Sequence, residues 1–175
     1  MTPLLPLKRP WWALVIAAML LSGFQVERAK INLNDYLGTL VAHPEWEVAA
    51  PAERAAIWAE RVPARVVNYY EITEPWAVFH TMSLREIVAL KWTLGIGSVL
   101  LFFGLDALFL RAAGRWELRR ALAGVYALVG VLVLGTAALD GGYDVARELL
   151  GFLQSPLPSF LLVFARWALE AAPRG

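Results

Sequence analysis

No cysteine occurs in the 175 residues, which excludes disulfides, thiolate catalysis and Cys-ligated metals. Histidine is nearly as scarce, with only His43 and His80. No H-x-x-x-H or H-E-x-x-H spacing exists, and the Glu-x-x-His pairs of a four-helix di-metal site are missing. A metal centre therefore has no ligand set. Two histidines far apart in the chain make a poor haem pair, so no cofactor is expected. There is no G-x-G-x-x-G, no phosphate-binding P-loop and no G-x-S-x-G. Kinase, dehydrogenase and hydrolase readings have nothing to stand on. Charge is also sparse: 18% of residues are charged, and 16 basic against 15 acidic side chains leave a net charge of +1. No basic field is available to attract nucleic acid.

What is abundant is apolar surface. Apolar residues make up 59% of the chain, and mean hydropathy is +0.54. A soluble domain is roughly 45–50% apolar. The excess is more than one small globular core can take up, so a lipid bilayer is the expected partner.

A hydrocarbon core about 30 Å thick needs roughly 20 apolar residues in a helix. Four segments come near that length. The first, 11–26, follows Lys8 and Arg9 and opens on Trp11 and Trp12, where an aromatic belt lies. A basic start before a short apolar run also fits a signal peptide. Ser22-Gly23-Phe24 runs into Gln25-Val26-Glu27-Arg28 without an A-x-A-like cleavage site, which favours an uncleaved signal anchor. The helix is expected to continue past the bilayer through Glu27 and Lys30.

The second span, 87–110, is announced by Ser83-Leu84-Arg85-Glu86, an S-x-x-E capping box directly before an apolar run. Lys91 lies about one turn inside and can snorkel outward. The third, 121–139, is almost free of polar groups, Tyr126 and Thr136 excepted. The fourth, 149–169, is interrupted by Gln154, Ser155, Pro156, Pro158 and Arg166. Two prolines remove two donors, so a kinked span is expected, with a re-entrant or interfacial segment as the alternative.

Arginine placement sets the orientation. Loop 111–120 carries Arg111, Arg115, Arg119 and Arg120 against Glu117. Lys8 and Arg9 lie in tail 1–10, and Arg174 in tail 170–175. Segment 27–86 holds nine acidic and six basic residues, and loop 140–148 holds three acids and one Arg. Both termini are thus expected to be cytoplasmic in an inner (plasma) membrane. Segment 27–86 and loop 140–148 then face outward. The fold class expected is all-α and polytopic: four transmembrane helices with a small extracytoplasmic helical cap between helices 1 and 2.

Within the cap, Ile31, Leu33, Tyr36, Leu37, Leu40 and Val41 fit one helical stripe. Pro51 with Glu53 suits a helix start whose buried face is Ile57, Trp58 and Val62, and Pro63 ends it. Residues 66–70 form a short strand or an irregular link. Thr73 before Glu74-Pro75 reads as an N-cap. Asp140-Gly141-Gly142-Tyr143-Asp144 reads as a tight turn, because it has too few ligands for a cation loop.

Candidate functional groups are few. His80, just outside span two, could act as a base at the outer leaflet with Glu86 nearby, or could be an interfacial histidine bonded to backbone or headgroups. Asp106 is costly inside a membrane, at about 2.5–3.5 kcal/mol mid-helix. Pairing with Arg111 or Arg115, snorkelling, and a proton- or partner-binding role are all open to it. The sharpest expectation is an Asp106–Arg166 intramembrane ion pair between spans two and four. Gly95, Gly97 and Ser98 in span two, and Gly124, Gly130 and Gly135 in span three, offer small faces for helix packing, within the chain rather than in a dimer. The exposed aromatics Trp46, Trp58, Tyr69, Tyr70 and Trp76 could anchor a partner, or most could simply pack the cap against the bundle. Two functions follow as expectations. One is a non-catalytic accessory or interaction subunit of a bacterial-type envelope machine (protein sorting, secretion, assembly or a respiratory complex), bound to a larger membrane protein. The other is a small membrane enzyme acting on a lipid or lipid-linked substrate.

Overall fold

The computed structural model describes residues 11–42, 44–54, 56, 66–67, 70–71, 82–139 and 142–172. Helix α1 (Trp11–Ala42) is followed by a 3-10 turn (Pro44–Glu47). Helices α2 (Leu84–Ala112), α3 (Arg119–Ala137), α4 (Tyr143–Leu153) and α5 (Leu157–Ala171) follow in order. Instead of one short strand over 66–70, two strands, β1 (Val66–Val67) and β2 (Tyr70–Glu71), pair antiparallel, Val66 opposite Glu71 and Val67 opposite Tyr70. Among the described residues the regular structure is otherwise helical.

Three stretches are long and apolar enough to cross a membrane: Trp11–Asn34, Leu84–Ala112 and Trp116–Ala137. A fourth is a pair, Asp144–Leu153 with Leu157–Ala171, bent by 67°. At 1.5 Å per residue α1 is about 48 Å long, well beyond a hydrocarbon core of about 30 Å. It runs through Glu27 and Lys30 as the sequence predicts, and those two side chains approach to 3.8 Å one turn apart. Its last described residue is Ala42.

The chain divides into two compact units. Unit two, Phe24–Ile96, has a core of Leu33, Trp46 and Ile87, flanked by Leu37, Met82, Leu84, Leu90 and Leu94. Trp46 is only 2% exposed, and its indole Nε1 donates to the Met82 carbonyl at 3.0 Å. Its expected role as an exposed anchor is therefore corrected: the ring is a core side chain tying the 3-10 turn to the approach of α2.

The start of α2 is capped as the S-x-x-E pattern predicts. Glu86 N–H donates to Ser83 Oγ at 3.3 Å, and Ser83 N–H donates to Glu86 Oε2 at 2.7 Å. Leu84 N–H adds a bond to Glu47 Oε1 at 3.2 Å. Orphan amides of a helix start are thereby satisfied. Ser83→Ala should destabilise this helix start by about 1 kcal/mol. Faster amide exchange at residues 84–87 checks it, and unchanged exchange would show that the cap contributes nothing. Further along unit two, residues 51–54 are helical and Ala50 N–H donates to Glu53 Oε2 at 2.9 Å, so Pro51 and Glu53 do open a helical turn. Ile57, Trp58, Val62, Pro63 and Thr73-Glu74-Pro75 lie outside the described residues.

Unit one comprises Met1–Gly23 and Gly97–Gly175. Its core joins Val15 and Met19 of α1, Phe102, Phe109 and Leu110 of α2, Leu122 and Tyr126 of α3, Leu153 of α4 and Val163 of α5. Phe109 meets Phe160 edge-on with ring centroids 4.9 Å apart. Helix α2 closes at Gly114, whose φ of +70° is the left-handed conformation glycine adopts freely. Arg115 N–H bonds the Leu110 carbonyl at 2.8 Å and Gly114 N–H bonds that of Arg111 at 3.2 Å, which is a Schellman closure.

The arginine that follows this closure is put to use. Arg115 Nη1 and Nη2 each donate to Glu170 at 3.1 Å, and Arg166 Nε donates to the same carboxylate at 2.9 Å. Glu170 at the end of α5 is thus held next to the α2–α3 connection. Helix α4 starts from the turn at the opposite end of α3. Together α4 and α5 therefore run from one end of α3 to the other.

Candidate functional site at the broken helix

The buried polar side chains among the described residues, Ser98, Asp106, Gln154 and Ser159, converge at the break between α4 and α5. A helix end leaves its last four carbonyls without intrahelical partners, and each of the four here finds one. Gln154 N–H donates to the carbonyls of Leu150, at 3.0 Å, and Gly151, at 3.2 Å. Ser155 Oγ donates to that of Phe152 at 2.7 Å. The Leu153 carbonyl accepts from the Tyr126 hydroxyl at 2.9 Å. Helix α5 then opens with Pro156 as N-cap and Pro158 at its second position, where a missing amide proton costs nothing. The two prolines break the segment as their positions predict, and the break is built rather than frayed.

Helix α2 reaches the break twice. Ser98 accepts from Gln154 Nε2 at 2.5 Å, with both side chains buried. Eight residues on, about 12 Å along the helix, lies Asp106, which is 0% exposed. Ser159 Oγ lies 2.5 Å from its Oδ1, and Tyr126 Oη lies 2.8 Å from its Oδ2. Tyr126 is steered there by packing: its ring meets Phe103 edge-on, with centroids 5.1 Å apart. Three helices and the break thus share one carboxyl group. Among the described residues, the Trp12 indole N–H is the only buried side-chain polar atom without a partner.

The expected Asp106–Arg166 ion pair is not what forms. Arg166 follows Ser159 by seven residues, about 10 Å along α5. It is exposed and pairs with Glu170, while two hydroxyl groups take the place beside Asp106. Neutral donors can hold a buried carboxyl group without desolvating a guanidinium as well, which would be the larger cost. Arg111 is exposed, so the other proposed partners also lie elsewhere.

Of the remaining candidates, Glu86 is engaged in the capping box. His43, His80, Trp58, Tyr69 and Trp76 lie outside the described residues, and Tyr70 enters only as backbone paired with Val67. A methyl group added at Gly97, Gly124, Gly130 or Gly135 would meet nothing within 4 Å, so these glycines are not points of close intramolecular packing. Among the described residues no group of three or more His, Asp or Glu side chains could hold a metal ion. Sequence reasoning did not assemble Tyr126, Ser159, Gln154 and Ser98 into a site. The available signal was a Gln-Ser-Pro-x-Pro-Ser interruption in one apolar segment and a lone Asp in another.

No family model matches the chain, no curated protein matches its sequence, and no solved structure matches its fold.

Proposed function

We propose that the chain is a multi-pass inner-membrane protein acting as a non-catalytic accessory or interaction subunit of an envelope machine, beside a larger membrane protein. Both termini lie on the cytoplasmic side in this reading, and the segment between α1 and α2 faces outward. The broken pair α4–α5 counts as one crossing, since its ends sit at opposite ends of α3. Apolar side chains turned away from the cores of α1, α2 and α3, such as Leu14, Ile96, Leu100, Leu128 and Leu134, support lipid contact on those faces.

The observation that carries the non-catalytic reading is the closure of the buried polar cluster. Each of its side chains, Ser98, Gln154, Asp106, Tyr126 and Ser159, is bonded to a neighbour in the same bundle, which supports a role in holding the helices together. An enzyme with His80 as base has less support, because Glu86, its expected companion, caps α2.

Two measurements test this. Reporter enzymes fused behind residue 60 and behind residue 115 should register opposite sides of the membrane. A shared side would overturn the topology. Purification in mild detergent should bring down a larger membrane protein at constant ratio. A chain that stays alone and monodisperse in several gentle detergents would overturn the subunit reading.

A further inference from the structure

The cluster at the helix break contains three close oxygen–oxygen contacts: Ser159 to Asp106 at 2.5 Å, Tyr126 to Asp106 at 2.8 Å, and Tyr126 to the Leu153 carbonyl at 2.9 Å. Two oxygens at such distances attract only with a hydrogen between them. Three contacts need three protons. Tyr126 and Ser159 bring one each. Ser159 Oγ also lies 3.2 Å from the Pro156 carbonyl, but that longer contact can share the serine proton.

We infer that the cluster is a binding site for one proton, held on Asp106 as a carboxylic acid. In that state every contact is satisfied. Ser159 donates to Oδ1, the acid O–H donates to the Tyr126 oxygen, and Tyr126 is free to donate to the Leu153 carbonyl.

An ionised Asp106 would leave either the tyrosine–carboxyl contact or the tyrosine–Leu153 contact without a hydrogen. No charged side chain among the described residues touches Asp106. From α3 it meets Tyr126, and from α5 Ser159; the Leu153 carbonyl of α4 reaches it through Tyr126. Arg115 and Arg166 are engaged with Glu170, and Arg111 is exposed. A hard metal cation is a poor occupant. It favours several carboxylate and carbonyl oxygens, whereas Asp106 is the one carboxyl group in this cluster and no group of three or more His, Asp or Glu side chains occurs among the described residues.

Occupancy is coupled to the break. When the proton leaves, Tyr126 turns its hydrogen to the carboxylate and the Leu153 carbonyl loses its partner. The end of α4 is then untied from α3. The inference stands on the geometry of this bundle alone and holds whether or not the chain has a larger partner.

Infrared spectroscopy of the full-length protein in lipid bilayers tests it, with the aspartate carboxyl isotope-labelled. A label-sensitive band of a protonated carboxylic acid is expected at neutral pH, and Asp106→Asn should abolish it. The sequence has four aspartates, so the variant supplies the assignment. Absence of the band from the native protein, or its survival in Asp106→Asn, overturns the proposal. Should that variant not fold, Tyr126→Phe removes the acceptor of the acid proton and should shift the band; a band indifferent to this change overturns the proposal equally. Exchanging choline for sodium at fixed pH should leave the band in place. Its loss on adding sodium would assign the site to a metal cation instead.

Discussion

Trp46→Ala should lower the stability of the unit spanning residues 24–96 by about 3–5 kcal/mol, the range for truncating a large buried aromatic side chain. Two losses combine. The ring leaves a hole between Leu33 and Ile87, and the Met82 carbonyl loses the indole N–H that it accepts. Trp46→Phe separates them, because it keeps most of the packing and removes the hydrogen bond, at about 1 kcal/mol. Hydrogen exchange at residues 84–94 reads both, since Leu84, Ile87, Leu90 and Leu94 belong to the same cluster. An anchor for an outside partner behaves differently: its alanine variant loses partner capture and leaves exchange at α2 untouched. Unchanged exchange in Trp46→Ala would therefore return the ring to the surface role that composition alone suggested for it.

Trp46 illustrates which parts of this fold can be read from residues in order. Long-period signals are legible. A run of about 20 apolar side chains shows directly in hydropathy, so α1, α2 and α3, each with a stretch long and apolar enough to cross a membrane, follow from it. Local chemistry is legible too. Ser83 and Glu86 sit at the one spacing where each reaches the other's amide, and Pro156 and Pro158 mark the break. What is not legible is which distant side chain arrives beside a given group. A buried Asp106 demands a partner, and the sequence offers arginines as the strongest ones. The choice falls to Ser159 and Tyr126, because these two arrive at its level in the bundle, while Arg166 lies about 10 Å further along α5 and pairs with Glu170. An aromatic residue in a polar segment is equally ambiguous, since a core and an interface want the same ring.

The α3–α4 turn holds the other large expected effect. Gly142 has an ordinary φ of −75°, so its backbone would accept any residue; what it lacks is space. A Cβ placed there would lie 1.8 Å from the Thr136 carbonyl oxygen, 2.8 Å from its carbon and 3.1 Å from the Leu139 oxygen. These are backbone atoms at the end of α3, and the same Thr136 oxygen accepts from Leu139 N–H at 3.0 Å. No side chain can rotate away to make room, so the turn itself must open. Gly142→Ala should then cost at least the 1–3 kcal/mol typical of overpacking. The damage should extend beyond the turn, because α4 is aimed from it and delivers the Leu153 carbonyl to Tyr126. Gly130→Ala and Gly135→Ala are the internal comparison. Both positions are helical and meet nothing within 4 Å, so alanine should be neutral or stabilising by up to about 1 kcal/mol. Unfolding of the three variants in detergent micelles gives the ranking directly. Equal stability of Gly142→Ala and Gly130→Ala would mean that the α3–α4 turn is looser than the close approach of Gly142 to Thr136 requires.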